Sequence, residues 1–230
     1  MKIAELFYSI QGEGALVGVP SVFIRTSGCN LRCSWCDTPY TSWRPEGRDL
    51  TLEQILDELR VLDEQRTHPA RHVVVTGGEP LIAPGIVALT QRLRERNLHI
   101  TVETAGTVFQ PVACDLMSIS PKLGNSTPDD ARFSQQHERL RIQPAILTQL
   151  MERYPYQLKF VIAQPGDLDE VRALVNSLQA DRDRVILMPE GIDPAVLRKR
   201  ALWLAEICKE EGFRFSPRLH VDLWGDRRGV

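Results

Sequence analysis

The chain has 230 residues, of which 43% are hydrophobic, and it carries a formal net charge of -2. This length allows one domain with a sizeable core and is too long for a small metal-stapled module. A net charge so close to zero gives no electrostatic reason to expect a nucleic acid or a membrane surface as partner, so a small soluble substrate is the simpler expectation.

Residues 1–6 lack the apolar core and the small-residue cleavage site of a secretory signal. No stretch of the chain approaches the roughly 20 apolar residues that a membrane-spanning helix needs. We therefore expect a cytoplasmic protein. In that reducing compartment, clustered cysteines are more often metal ligands or catalytic groups than disulfides.

Patterns typical of strands and helices alternate along the chain. An apolar stretch over 3–8 leads through a glycine-punctuated loop to a first clear strand over 22–25, and Thr51 with Gln54 forms a capping box that begins a helix ending before Pro69. Further strands are predicted over 73–75, 99–103, 115–119, 157–162, 185–188 and 213–215. Further helices are predicted over 85–96, 144–153, 167–178 and 194–211.

Strands that alternate with helices of this length favour βα units and a mainly parallel sheet, either flat or closed into a barrel. We predict a single domain over 1–230, with an N-terminal extension over 1–21, the first strand and a cysteine loop over 22–48, and a polar, aperiodic loop or lid over 123–143. In a barrel of this kind the active site lies where the carboxyl ends of the strands meet their loops.

Three cysteines, Cys29, Cys33 and Cys36, follow the first strand with the spacing C-x3-C-x2-C. A structural zinc site usually needs four ligands in two pairs, and the histidines that could add a fourth ligand (His68, His72 and His99) lack paired spacing. A redox-active C-x2-C motif would leave Cys29 unexplained. A [4Fe-4S] cluster on three thiolates leaves one iron open for a cofactor, and we favour this interpretation. The remaining cysteines, Cys114 and Cys208, are predicted to be buried apolar residues.

This cysteine loop, with Trp35 before its last cysteine, resembles that of the radical SAM superfamily, and residues 77–80 resemble the GGE loop of that superfamily. The resemblance implies a [4Fe-4S] cluster on the three cysteines, with S-adenosylmethionine (SAM) chelating the open iron and yielding a 5′-deoxyadenosyl radical. It also implies a partial, modified TIM-type (β/α) barrel. The segment 40–49 is too short and polar for the regular first helix of a full barrel.

A narrower resemblance is carried by ordered blocks that are spread over about half of the chain. These blocks cover residues 9–14, 18–20, 23–25, 28–33, 35–38, 75–80, 103–107 and 118–122, and together they resemble the 7-carboxy-7-deazaguanine synthase (QueE) family. The resemblance implies a lyase that converts 6-carboxy-5,6,7,8-tetrahydropterin to 7-carboxy-7-deazaguanine and releases ammonia, in the biosynthesis of queuosine and other 7-deazapurines. It also implies a homodimer and an external one-electron reductant of the flavodoxin or ferredoxin type.

The same resemblance implies roles for individual residues. It places the substrate against Ile10, Gln11, Gly12, Glu13, Arg25 and Thr76, and the SAM cofactor against Trp35, Cys36, Asp37, Gly78, Ser120, Pro121 and Lys122. An arginine fork such as Arg25 can grip a carboxylate through two charge-assisted bonds, although a structural salt bridge is the simpler alternative. At Gly78 the missing Cβ lets backbone approach a ligand closely.

Thr38 matches a family residue whose hydroxyl ligates Mg²⁺, an ion that prefers oxygen ligands. From its own sequence context Thr38 would be a turn or capping residue. Three further residues are assigned by weaker matches. Glu103 is expected to contact the cofactor or brace the barrel, Glu79 to brace its loop, and His220 to contact the substrate, although residues 216–225 resemble only one branch of the family.

Two alternatives remain open at this point. A different small radical SAM protein, such as a glycyl-radical activating enzyme, shares the cysteine spacing but would not need Arg25 as a carboxylate grip or Thr38 as a magnesium ligand. A non-enzymatic zinc-binding module would hold zinc and no sulfide. Both alternatives are distinguishable from a deazaguanine synthase by their metal content and their substrates.

Overall fold

Nine strands form one sheet in the computed structural model, which describes residues 1–230. The strands are β1 (Lys2–Ile10), β2 (Pro20–Thr26), β3 (Arg48–Asp49), β4 (His72–Gly77), β5 (His99–Thr104), β6 (Leu116–Ile119), β7 (Tyr156–Ile162), β8 (Val185–Pro189) and β9 (Arg214–Phe215). The helices are α1 (Pro39–Ser42), α2 (Leu52–Glu64), α3 (Ile86–Glu95), α4 (Ala131–Leu140), α5 (Pro144–Arg153), α6 (Leu168–Ser177), α7 (Pro194–Glu211) and α8 (Leu219–Trp224).

The sheet is mainly parallel and open. Its order is β3-β1-β2-β4-β5-β6-β7-β8-β9, and every neighbouring pair from β2 to β9 is parallel. Only β1 runs antiparallel to its neighbours β2 and β3. The edge strands β3 and β9 do not pair with each other, so the barrel is incomplete. This arrangement confirms the predicted partial, modified barrel.

Apolar strands and well-capped helices explain why the sequence folds this way. Val73, Val74 and Val75 in β4 are each 0% exposed, as expected for a parallel strand covered on both faces. The capping box that begins α2 forms as predicted, because the Thr51 hydroxyl accepts from the Gln54 amide at 3.2 Å and the Gln54 side chain accepts from the Thr51 amide at 2.8 Å. Because the strands from β2 to β9 pair in parallel, their carboxyl ends all lie at the same edge of the sheet.

The polar segment over 123–143 was predicted to be a loop, and this prediction was wrong for residues 131–140, which form α4. The Asp130 side chain caps this helix by accepting from the Arg132 amide at 3.0 Å. Its buried face is narrow: Phe133, His137 and Leu140 recur at i, i+4 and i+7, but only His137 is buried and the rest of the helix is mostly polar, which obscures the helical period in the sequence. The segment over 40–49 holds only the short α1 and β3, as expected.

No helix of this fold combines the length and the apolar composition needed to cross a membrane.

Candidate active site

A cavity of about 440 Å³ opens at the carboxyl ends of the parallel strands. All of the residues predicted for the site line this cavity except Pro121 and Glu79. The parallel sheet explains the convergence, since Arg25, Thr76, Glu103 and Ser120 each lie at or just beyond the end of a different strand. Residues far apart in sequence therefore share one chamber.

The three loop cysteines stand at one wall of the cavity as free thiols. Cys33 packs with Leu31 and Ala105 in a small apolar cluster, and Cys29 and Cys36 flank it. Burial raises the pKa of the Cys29 thiol to about 11 and that of the Cys33 thiol to about 12. In the absence of metal these thiols are therefore protonated at neutral pH, and a bound metal would have to displace the protons.

The donor set fits a [4Fe-4S] cluster. No three His, Cys, Asp or Glu side chains converge closely enough to hold a single metal ion. Each thiolate of a cubane cluster binds a different iron, so its sulfur ligands lie farther apart than those of a single ion. Three thiols that share a wall without converging match that requirement, and they leave the fourth iron without a protein ligand.

The GGE loop (residues 77–80) packs directly on the cluster loop (residues 28–38). The Glu79 amide donates to the Gly28 carbonyl at 2.9 Å, and a Cβ on Gly78 would overlap that same carbonyl group. Any side chain at Gly78 would therefore push the two loops apart. Glu79 itself is fully buried and accepts from the Leu81 and Ala105 amides and the Thr104 hydroxyl. This placement explains why Glu79 braces its loop and does not line the cavity.

Helix α4 and its preceding turn support the cluster loop from outside. The Arg32 amide donates to His137 Nδ1 at 3.2 Å, and the Ser34 amide donates to the Ser126 carbonyl at 2.8 Å. The Trp43 indole donates to the Cys33 carbonyl at 2.9 Å. Backbone groups on either side of Cys33 are thereby fixed.

The wall predicted for SAM is built from Trp35 and the segment after β6. The Trp35 indole donates to the Asn125 carbonyl at 2.9 Å, and the Lys122 ammonium donates to the Ser120 hydroxyl at 2.8 Å. Lys122 Nζ also lies 5.8 Å from the centre of the Trp35 ring, within range of a cation-π contact. Pro121 connects these residues and does not reach the cavity.

Arg25 lines another part of the cavity and is held by Glu5, a carboxylate of β1. Its Nε donates to Glu5 Oε2 at 2.8 Å, and the Tyr40 hydroxyl donates to the same oxygen at 2.7 Å. No protein acceptor binds the two Nη nitrogens of Arg25. Nearby, Glu103 accepts from the Thr76 hydroxyl at 2.8 Å and from the side-chain amide of Gln11 at 3.1 Å.

The Glu13 carboxylate lies between two buried cations. Lys159 in β7 donates to one of its oxygens, and Arg218 Nε donates to the other at 3.1 Å. Burial alone would raise the pKa of Glu13, but the two cations outweigh burial and hold that pKa well below its usual range. His220 Nε2 lies 4.0 Å from the same carboxylate, and a Cβ on Gly12 would collide with the His220 ring.

Comparison with known proteins places this site in a family. The model of the Radical SAM superfamily matches residues 23–122. A 7-carboxy-7-deazaguanine synthase of Halobacterium salinarum is 43% identical, over 98% of this chain and 91% of that protein. One of Rhodopirellula baltica is 44% identical, over 100% of this chain and 89% of that protein. The chain belongs to the 7-carboxy-7-deazaguanine synthase family.

A solved structure agrees with this family assignment. The crystal structure of QueE from Escherichia coli superposes with a TM-score of 0.68 at 26% identity, covering 95% of this chain and 94% of that chain. The family assignment predicted from the motifs is thereby confirmed. It replaces both alternatives, the glycyl-radical activating enzyme and the zinc-binding module. As a radical SAM enzyme, this synthase family member uses a [4Fe-4S] cluster and SAM.

Sequence motifs missed several residues of the synthase cavity. Lys159 was predicted only as part of a strand, and Arg218 only as part of a C-terminal resemblance, yet both line the cavity and bind Glu13. Residues 225–230 also line it. The available signal was a lysine inside an otherwise apolar strand, because a lysine that is buried needs a paired carboxylate.

Proposed function

We propose that this chain converts 6-carboxy-5,6,7,8-tetrahydropterin to 7-carboxy-7-deazaguanine and releases ammonia. The observation that carries the proposal is one cavity lined both by the three thiols and by Arg25, a cation whose Nη nitrogens have no protein partner. When bound, the cluster and SAM supply a 5′-deoxyadenosyl radical that abstracts a hydrogen atom from the substrate. The substrate must therefore be held in a fixed orientation beside the thiol wall.

The substrate carboxylate has a natural partner in Arg25. Glu5 and Tyr40 hold the Nε side of the guanidinium, which leaves the Nη side to form charge-assisted hydrogen bonds with a carboxylate. Glu13 and Glu103 supply carboxylate acceptors for the N–H groups of the pterin ring, with Gln11 and Thr76 bonded to Glu103. In this arrangement cationic and anionic groups match the two polar ends of the substrate.

The test of this function is a defined anaerobic reaction. Reconstituted protein should hold about four irons and four sulfides. With a one-electron reductant, SAM, Mg²⁺ and the carboxypterin, it should form 7-carboxy-7-deazaguanine, 5′-deoxyadenosine and ammonia, measured by liquid chromatography with mass spectrometry. A protein that cleaves SAM but forms no deazaguanine would contradict the proposal, and one that holds only zinc would contradict the cluster.

We also propose that Thr38 ligates Mg²⁺ together with substrate oxygens. Thr38 lines the cavity directly after Asp37, and its hydroxyl lies 3.9 Å from the Cys36 sulfur. One hydroxyl, water molecules and substrate oxygens form a suitable shell for this hard cation. The isosteric Thr38→Val should abolish the stimulation of turnover by Mg²⁺, whereas Thr38→Ser should retain it. Equal Mg²⁺ titration curves for Val and wild type would exclude this role.

For the electron donor and the assembly, we propose an external flavodoxin or ferredoxin and a homodimer. Radical SAM chemistry needs one electron for each cleavage of SAM, and the chain carries only the cysteines of one cluster in its cavity. Reduced flavodoxin should replace dithionite in the assay above. Light scattering should give twice the 26.0 kDa mass of the chain.

A further inference from the structure

Arg218 is the one side chain that hydrogen-bonds to both loops facing the substrate. Its Nε donates to Glu13 in the substrate loop (residues 10–13), and its Nη2 donates to Asp37 in the cluster loop. Its Nη1 donates to the Gly191 carbonyl, after β8, at 2.6 Å. No direct hydrogen bond joins the substrate loop to the cluster loop. This guanidinium therefore links the two loops directly, in addition to the pairing of β1 with β2 in the sheet.

Burial strengthens the contact with Glu13, whose side chain is 14% exposed, more than the contact with Asp37, whose side chain is 41% exposed. The Arg218 side chain is 6% exposed, and its guanidinium has a charge-assisted bond to each of the two carboxylates. Burial disfavours the charged form, but Asp37 and Glu13 outweigh it and raise the pKa of Arg218. The formal charges of the two cations, Arg218 and Lys159, and of the two carboxylates sum to zero. Loss of Arg218 would leave two carboxylates facing one lysine, with an unpaired anion beside the cluster loop.

The backbone after Arg218 adds a second attachment to the same loop. The Leu219 amide donates to the Gly12 carbonyl at 2.9 Å, and the His220 ring fills the space above Gly12. The first residues of α8 thus cover the substrate loop while Arg218 reaches past it to Asp37. Thr38, the proposed magnesium ligand, directly follows Asp37.

We infer that Arg218 is a positioning residue that sets the distance between the bound pterin and the site of radical formation. The inference rests on the proposed function and deepens it, because it concerns how the same site aligns its substrate. Hydrogen abstraction requires the reacting atoms to be in near contact, and a small displacement lowers the rate strongly. Without Arg218, SAM would be cleaved at its usual rate, but the 5′-deoxyadenosyl radical would often take its hydrogen atom from the buffer or the reductant instead of from the pterin.

The test compares Arg218→Gln and Arg218→Lys with wild type. In Arg218→Gln we expect KM for the carboxypterin to rise about tenfold, and the ratio of 5′-deoxyadenosine to deazaguanine to rise about fivefold. Cleavage of SAM in the absence of pterin should stay within about twofold of wild type. Arg218→Lys keeps the charge but cannot hold both carboxylates, so both parameters should be intermediate. The matched control is Arg200→Gln, since Arg200 pairs with Glu190 outside the cavity.

A second readout needs no cluster. Cluster-free protein should bind the unreactive 6-carboxypterin about tenfold more weakly in Arg218→Gln than in wild type by calorimetry, and amide exchange over residues 10–13 should be faster in the variant. A parallel fall of SAM cleavage and product at a constant ratio, or failure of both variants to fold, would make the role structural and overturn the inference. Absence of deazaguanine from wild type would instead refute the proposed function.

Discussion

Arg25 can be interpreted as a structural residue or as a substrate-binding residue. The ion pair with Glu5 is the structural salt bridge that sequence alone suggests as the simpler reading, and it does form at 2.8 Å. The pair uses only Nε, however, and Arg25 lines the cavity with no protein acceptor on its two Nη nitrogens. The two readings are therefore compatible, because Glu5 orients an arginine that can still bind a substrate carboxylate.

Replacing Arg25 separates substrate binding from radical formation. Arg25→Gln should raise KM for the carboxypterin by roughly 100-fold, because a charge-assisted hydrogen-bonded pair is lost. SAM cleavage without pterin should change little, and steady-state kinetics with product analysis would measure both. Arg66→Gln is a matched control, since Arg66 stacks on Tyr8 outside the cavity, 3.6 Å from the ring centre. An unchanged KM with reduced SAM cleavage would contradict the assignment.

His72 is a buried histidine remote from the cavity. Its Nδ1 bonds to the Ser21 hydroxyl, which itself donates to the Val19 carbonyl at 2.8 Å, so Nδ1 carries the proton. Its Nε2 accepts from the Thr101 hydroxyl at 2.8 Å. Burial and the neighbouring His99 lower the pKa of His72 to about 4. The folded protein therefore holds this ring neutral.

This lowered pKa predicts a dependence of stability on pH. Above the ordinary histidine pKa of 6.5 the contribution of His72 is fully present, and it is lost between pH 6.5 and about 4, because only the unfolded chain binds the proton there. The slope should be about 1 kcal/mol per pH unit. Urea unfolding of cluster-free His72→Gln should show a shallower slope than wild type. The exposed His68→Gln should keep the wild-type slope, and equal slopes in all three proteins would contradict the prediction.

Among the elements, α4 shows how a polar composition can obscure a helical period in the sequence. Ser126 donates its hydroxyl hydrogen to the Leu123 carbonyl, so it accepts from His137 Nε2 at 2.9 Å. This fixes the neutral tautomer in which Nδ1 accepts from the Arg32 amide. The helix contacts the cluster loop through this buried polar ring and through Leu140, which packs against the apolar cluster around Cys33, and the Phe133 ring packs edge-on against Trp43 at 5.3 Å. The wider apolar stripes of α2, α3 and α6 made those helices predictable from sequence.

Removing this attachment should loosen the cluster loop. In cluster-free His137→Ala, the Arg32 amide should exchange faster with solvent than in wild type, by about tenfold, because its acceptor is lost. Chelators should also remove iron faster from the reconstituted variant. Gln136→Ala changes an exposed neighbour in the same helix and should behave as wild type in both measurements. Unchanged exchange at Arg32 would show that α4 does not support the loop.

At the scale of the whole molecule, residues near both ends of the chain line the cavity. Antiparallel β1 adds Glu5 and the substrate loop to the cavity wall, and residues 225–230 add another part of this wall. Arg228 holds this tail through an ion pair with Glu46 at 3.1 Å and a cation-π contact 3.4 Å from the Tyr40 ring centre. Tyr40 in turn donates to Glu5, so the tail contacts the group that holds Arg25.

Deleting residues 225–230 should impair substrate binding more than folding. The tail contributes no residue to the hydrophobic core, so the melting temperature should change by only a few degrees. KM for the carboxypterin should rise about tenfold as water enters the cavity. Arg228→Gln, which removes only the anchor, should have a smaller effect in the same direction. A deletion variant with wild-type KM would show that the tail is not part of the binding site.

The sequence by itself determined the cluster loop, the GGE loop, the main strands and helices, and the family. These features are local or periodic, because cysteine spacing, caps and apolar runs act within a few residues of one another. Only the tertiary structure decided that Lys159 and Arg218 hold Glu13, that His137 supports the cluster loop, and that the tail lines the cavity. Those contacts join residues more than 100 positions apart, and no local pattern specifies which distant charge or ring a polar side chain will meet.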